Sequence, residues 1–194
     1  MNQDSSHPGD ASAHRIRPLN IVTLCTGNVA RSVMLGYMLT TIAHSSGEAW
    51  HVRTAGTHVT EGSAMSARTR DALVKIEELG DHRYGAHRSH QLSEADAEWA
   101  DVIICAEVNN VNYMRANLAP HAYKAVQLAQ FVRYAPLEVG IDTQVRTAHS
   151  HEPSKVFDVV DPAGGDQATY DQCARQLWEL AQAFASLVND EGVD

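Results

Sequence analysis

The chain has 194 residues, 44% of them in the AVILMFWYC set and 20% charged, which suits one substantial core and excludes a disordered or fibrous protein. Fifteen Lys and Arg against 24 Asp and Glu give a net charge of −9, which argues against general nucleic-acid binding because that affinity comes from neutralising phosphates. No apolar run reaches the roughly 18 residues of a membrane helix, and three cysteines do not make a disulfide framework.

The first 18 residues hold one bulky apolar residue after Met1, Ile16, and lack the apolar stretch of a secretory signal. They are expected to form a flexible tail ahead of a domain spanning residues 19–190, with the cytoplasm as the default location. Residues 19–24 (LNIVTL) are short, apolar and β-rich, the signature of a buried strand. A loop of small residues follows, and then Met34, Leu35, Met38, Leu39 and Ile42 recur at helical spacing with Gly47 as a stop. Residues 51–54 read as a second strand and 55–64 as a loop. Ser66 is placed to cap a helix running to Leu79, with Gly80 closing it. Ser93-Glu94-Ala95-Asp96 has the form of a capping box before a third strand at 102–106 (VIICA). Val111, Met114 and Leu118 mark a helix that must end before Pro120, and residues 125–128 form a weaker fourth strand. The stretch 132–156 shows little periodicity and suits a lid or an inserted helix. Tyr170, Cys173, Leu177, Leu180, Phe184 and Leu187 make one long helical stripe. Strands alternating with helices predict a single α/β domain, a four-stranded parallel sheet with helices on both faces.

The chemistry concentrates between the first strand and first helix, in Cys25-Thr26-Gly27-Asn28-Val29-Ala30-Arg31-Ser32. Loop amides and a helix N-terminus there aim positive partial charge at one spot, which makes an anion site. Gly27 and Asn28 are the residue types that tolerate the dihedrals of such a cradle. A thiol at Cys25 would lose its proton readily in that field, Arg31 can offer a planar fork to a tetrahedral oxyanion, and Ser32 can donate to the thiolate.

This segment resembles the phosphate-binding loop of the low-molecular-weight protein tyrosine phosphatases and the related arsenate reductases. Three further blocks agree in family order. Thr54-Ala55-Gly56-Thr57 resembles the family's Ser-Ala-Gly-Thr, with Thr54 in place of Ser. Gly85-Ala86-His87-Arg88-Ser89-His90-Gln91-Leu92 resembles its Gly-His-Arg-Ser-Arg-Gln-Leu, and Asp158-Val159-Val160-Asp161-Pro162 its late Asp-Pro loop. The resemblance implies a phosphomonoester hydrolase of the protein tyrosine phosphatase type. Cys25 would form a cysteinyl-phosphate, and residues Thr26, Gly27, Asn28, Val29, Ala30 and Arg31 would hold the phosphate. Asp161, with Asp158 as the fallback, would protonate the leaving oxygen and then activate water. Ser32, Thr54 and His87 would support the loop, with Asn28 as its brace and His87 hydrogen-bonding to that brace. No cofactor or metal is implied. The partner would be a phosphorylated protein or small phosphomonoester, or arsenate, with neither nucleic acid nor membrane involved.

The chain departs from the pattern elsewhere as well. Ala30 stands where a second cysteine usually precedes the arginine, so no disulfide can form within the loop. Val33 replaces the usual proline, and Ala163-Gly164-Gly165 follows Asp161-Pro162 where aromatic residues commonly line the cleft. The stripped cleft keeps two alternatives open: a thiol- or redoxin-dependent arsenate reductase, and an oxyanion-binding module without turnover. Cys105 suits either a core position or the first thiol of an arsenate relay, though residues 106–120 hold no second one. Cys173 lies on the last helix's apolar stripe. His149 with His151, and His87 with His90, lack a Cys or carboxylate cluster at zinc-ligand spacing and read as solvated loop residues.

Overall fold

A computed structural model of the chain describes residues 17–189. Strand β1 (Leu19–Cys25) pairs on one side with β2 (Trp50–Gly56) and on the other with β3 (Val102–Cys105), which pairs in turn with β4 (Ala125–Gln127). All pairings are parallel, in the order β2-β1-β3-β4. Successive residues of β1 face opposite sides of the sheet, so each side chain set feeds a different core. Leu19 and Ile21 pack with helices α1 (Arg31–Ser46), α2 (Ala67–Val74), α5 (Leu128–Tyr134), α6 (Ile141–Ser150) and α7 (Gln167–Asn189). Val22 and Leu24 pack with α3 (Glu94–Trp99) and α4 (Val108–Asn117).

The chain leaves β1 through α1 toward β2, then returns past β1 to β3, so the strand order reverses at β1. Open parallel sheets bind ligands in the crevice that this reversal leaves at the strands' carboxyl ends. Residues 25–31 lie there.

Several boundaries differ from the sequence reading. The helix capped by Ser66 stops at Val74 instead of running to Leu79. Ile76 turns extended and a 3-10 turn, Glu77–Leu79, follows; both Ile76 and Leu79 thereby reach the core, and their burial overrides helix continuity. Of the two readings for residues 132–156, the inserted helix is present: α5 takes up the start of the stretch, and α6 occupies its middle. The buried side of α6 is Ile141, Gln144, Val145 and Ala148. A polar and a small residue in that stripe conceal its helical period from a hydropathy reading. His149, expected in a loop, lies in the last turn of α6.

Residues 1–16 of the expected tail, and 190–194, lie outside the described residues. Arg17 forms a two-pronged ion pair with Asp101, at 2.6 and 2.8 Å, tying the start of β1 to the turn before β3. Among the described residues no helix is long and apolar enough to cross a membrane.

Candidate active site

Cys25 ends β1, and its sulfur is buried. The Asn28 backbone N–H points at it from 3.3 Å and the Ser32 hydroxyl stands at 3.0 Å. The Asn28 side-chain NH₂ donates to Ser32 Oγ at 2.9 Å, so that oxygen is already an acceptor and its own hydrogen is free to point at the sulfur. Both groups are placed to donate to the sulfur.

Asn28 is fully buried with φ of 51°, a left-handed conformation that Asn tolerates better than most residues. Its strain is held by bonds on every side. Its NH₂ group also donates to Thr54 Oγ1 at 3.0 Å, its side-chain oxygen accepts from the His90 backbone N–H at 2.9 Å, and its carbonyl accepts from His87 Nε2 at 2.8 Å. The last contact fixes the His87 proton on Nε2. Burial lowers the His87 pKa, with Arg88 adding to the effect, so the ring is favoured neutral. The loop is closed from beneath by Gly56, where a Cβ would come within 2.7 Å of the Thr26 carbonyl and 3.0 Å of the Asn28 nitrogen.

Arg31 opens α1 with its guanidinium 3% exposed. It meets Glu107 at 3.1 Å and Asp161 at 2.9 Å, and donates to the Val159 carbonyl at 3.3 Å. Burial opposes its charge, but the Glu107 hydrogen bond and the carboxylates of Asp161 and Glu107 prevail and raise its pKa. Burial would also push Glu107 up, yet hydrogen bonds from Arg31 and from Thr26 Oγ1, the latter at 2.7 Å, hold its carboxyl below the usual range.

The two aspartates of the late loop are treated differently by the fold. Asp158 is committed to structure: its Oδ1 accepts from the Val108 N–H at 2.7 Å and from Gln127 Nε2 at 2.6 Å. Asp161 is exposed, faces Arg31, and is otherwise held only by the Ala163 N–H at 3.1 Å. The structure therefore brings Cys25, Arg31 and Asp161 into one crevice, with Thr26 to Ala30 between them, and puts Ser32, Thr54 and His87 behind the loop.

Residues 20–193 match the model of the low molecular weight phosphotyrosine protein phosphatase family. The chain belongs to that family. Phosphatases of this family work through a cysteine nucleophile. The chain is 27% identical over 167 residues to a protein-arginine-phosphatase of Bacillus subtilis, covering 86% of this chain and 95% of that one. A protein-arginine-phosphatase of Geobacillus stearothermophilus is 26% identical over 174 residues, 90% of this chain and 99% of that one. In fold, a low molecular weight protein tyrosine phosphatase from T. tengcongensis superposes with a TM-score of 0.70 at 21% identity, over 87% of this chain and 98% of that one.

Sequence reasoning missed Glu107, the counter-ion that Arg31 shares with Thr26. Its one signal was position: an acidic residue two places past a buried strand, at the edge where an anion must bind. Cys105 is wholly buried in β3 and Cys173 nearly so on α7. Burial pushes the Cys105 thiol far up and the Cys173 thiol up to about 12. Neither is exposed to take over an oxyanion from Cys25.

Proposed function

We propose that residues 19–190 form a protein phosphatase domain in which Cys25 is the nucleophile, residues 26–31 bind the phosphoryl group, and Asp161 is the general acid and base. The observation that carries this assignment is the ion pair of Asp161 with Arg31 at 2.9 Å, on the exposed side of the loop that holds the Cys25 sulfur. An arriving phosphoryl dianion takes the place of Asp161 on Arg31 and, by like-charge repulsion, favours a proton on that carboxyl. The thiolate attacks phosphorus as the bond to the leaving oxygen breaks, and that oxygen takes the Asp161 proton. Asp161 then accepts a proton from water as water attacks phosphorus, the S–P bond breaks, and inorganic phosphate leaves. Loop amides and Arg31 stabilise charge on the equatorial oxygens throughout.

A second substrate reading is favoured by the names of the two relatives: a phosphoryl group on arginine. There a P–N bond breaks and the leaving guanidine takes the same Asp161 proton. The product is a cation, which suits a crevice lined by Glu107 and Asp161.

Hydrolysis of p-nitrophenyl phosphate and of phosphotyrosine- and phosphoarginine-bearing peptides tests both readings. Cys25→Ser should abolish turnover of all three. Asp161→Ala should lower kcat by about 10²- to 10⁴-fold, the scale of a lost general acid. Because p-nitrophenolate needs a leaving-group proton least, its loss should be the smallest. Turnover that survives Cys25→Ser would overturn the nucleophile. Thiol consumption driven by arsenate with no phosphatase activity would replace the reaction.

A further inference from the structure

The segment that braces the anion loop carries a second cluster outside the reaction site. The His90 side chain lies between two carboxylates from different elements: its Nδ1 is 3.1 Å from Glu61, in the loop after β2, and its Nε2 is 2.8 Å from Asp96, in α3. The same residue's backbone N–H donates to the Asn28 side-chain oxygen, and its carbonyl accepts from the Gly56 N–H at 2.9 Å. Glu61 also accepts from the neighbouring Gln91 N–H at 2.9 Å, so one carboxylate grips two consecutive residues.

We propose that His90 is a positioning residue for the phosphatase reaction: its imidazolium bridges Glu61 and Asp96 and so fixes the backbone N–H that holds Asn28 and, through Asn28, the Cys25 loop. The inference rests on the functional reading given above. The bridge needs both ring protons. An imidazolium donates from each nitrogen, whereas a neutral ring has one N–H and turns a lone pair toward the second carboxylate. The other charged neighbour is Arg53 on β2, at 3.4 Å from Asp96 Oδ1 and stacked on Trp99, so it engages the oxygen that His90 does not use. On the same segment Arg88 turns away to the carbonyls of Gly85 and His87.

The hydrogen bond to Asp96, and then the bond to Glu61, raise the His90 pKa against the effect of burial. Hydrogen bonds from Ser93 and His90 hold Asp96 below its ordinary value, and those from the Gln91 N–H and His90 do the same for Glu61. The sign follows. The clamp is complete below the unfolded-state pKa of histidine and is lost as pH rises through the raised folded value. The ring is about half exposed, so it exchanges protons with solvent freely. At this position the motif resembled by residues 85–92 carries arginine, whose charge is permanent. Histidine makes the cation here titratable.

Two variants bracket the proposal: His90→Arg, a permanent cation, and His90→Gln, permanently neutral. Activity is read as kcat/KM on p-nitrophenyl phosphate from about pH 5 to about pH 9, as a ratio to the unsubstituted protein, so that titration of Asp161, Cys25 and substrate cancels. A second reading is the protection of Cys25 from iodoacetamide by inorganic phosphate over the same range. It needs no turnover, and Cys105 and Cys173 are too buried to compete. The His90→Arg ratio should be near one at the acid end and rise to about fivefold at the alkaline end, the scale of one partly exposed ion pair. The His90→Gln ratio should be lowest at the acid end and approach one as pH rises. Melting temperatures at each pH show whether either variant is folded. Ratios that stay flat with pH in both folded variants, by activity and by protection, overturn the proposal. Absent turnover with intact phosphate protection would sink the functional reading alone, and the protection ratios would still decide His90.

Discussion

At the scale of single residues, the crevice is organised by one cation with two anionic partners. Asp161 can be displaced because it is exposed; Glu107 is mostly buried, with its side chain 16% exposed, and stays on Arg31 and Thr26. On the proposed mechanism Glu107 aims the guanidinium, while Asp161 trades places with substrate. Glu107→Ala should lower kcat/KM by about 10- to 100-fold, the scale of a misplaced positioning group. Glu107→Gln keeps an acceptor for Thr26 and should lose less. If Glu107 mattered only through its charge, both variants would bind inorganic phosphate more tightly, and an inhibition constant reads that directly. Asn28 shows the same logic in the backbone: a left-handed residue is strained, and five bonds to five other residues hold it in place.

At the scale of elements, the site depends on how closely β2 approaches the loop after β1. Gly56 faces Cys25 across the β1–β2 ladder, and an added Cβ would meet the Val59 side chain and the backbone of Thr26 and Asn28. Val59 can rotate away, but the backbone of a loop this tightly bonded cannot. Gly56→Ala should cost about 1–3 kcal/mol in denaturant unfolding, as overpacking does, and should weaken phosphate binding in the same protein. A variant that lost stability but kept its phosphate affinity would show that the loop tolerates the shift. The sequence made the loop, the strands and the last helix legible because each repeats a local rule: an apolar run, a helical stripe, a small-residue junction. Cys25 and Arg31 stood out as candidates because they fall in one small-residue loop, and Asp161 only through the resemblance of residues 158–162 to a family motif. Glu107 and the His90 clamp were not legible, and α6 was legible only as one of two readings without bounds. Glu107 acts on Thr26 and Arg31 across 81 and 76 residues of sequence, and His90 on Asn28 and Glu61 across 62 and 29, partners that only the fold brings near; α6 buries Gln144, whose side chain bonds to the carbonyls of Pro136 and Leu187.

At the scale of the whole molecule, a net charge of −9 opposes the approach of any phosphoryl dianion, and Arg31 is offset locally by Glu107 and Asp161. Attraction at the loop is short-ranged, made of amide dipoles and one guanidinium. Repulsion from the remaining surface extends about 8–10 Å at physiological salt. The two act on different quantities: the loop sets affinity once contact is made, and the outer field sets how often contact is made. Phosphopeptides flanked by Lys should therefore have a higher kcat/KM than the same peptides flanked by Glu, by about tenfold in low salt. Raising the salt to several Debye lengths' worth of screening should close most of that gap by improving the Glu-flanked peptide. Turnover at saturating substrate should change little for either, since the chemistry proceeds after docking. A preference for the acidic flank, or a gap that salt does not move, would mean that contacts at the rim and not the molecule's field select the substrate.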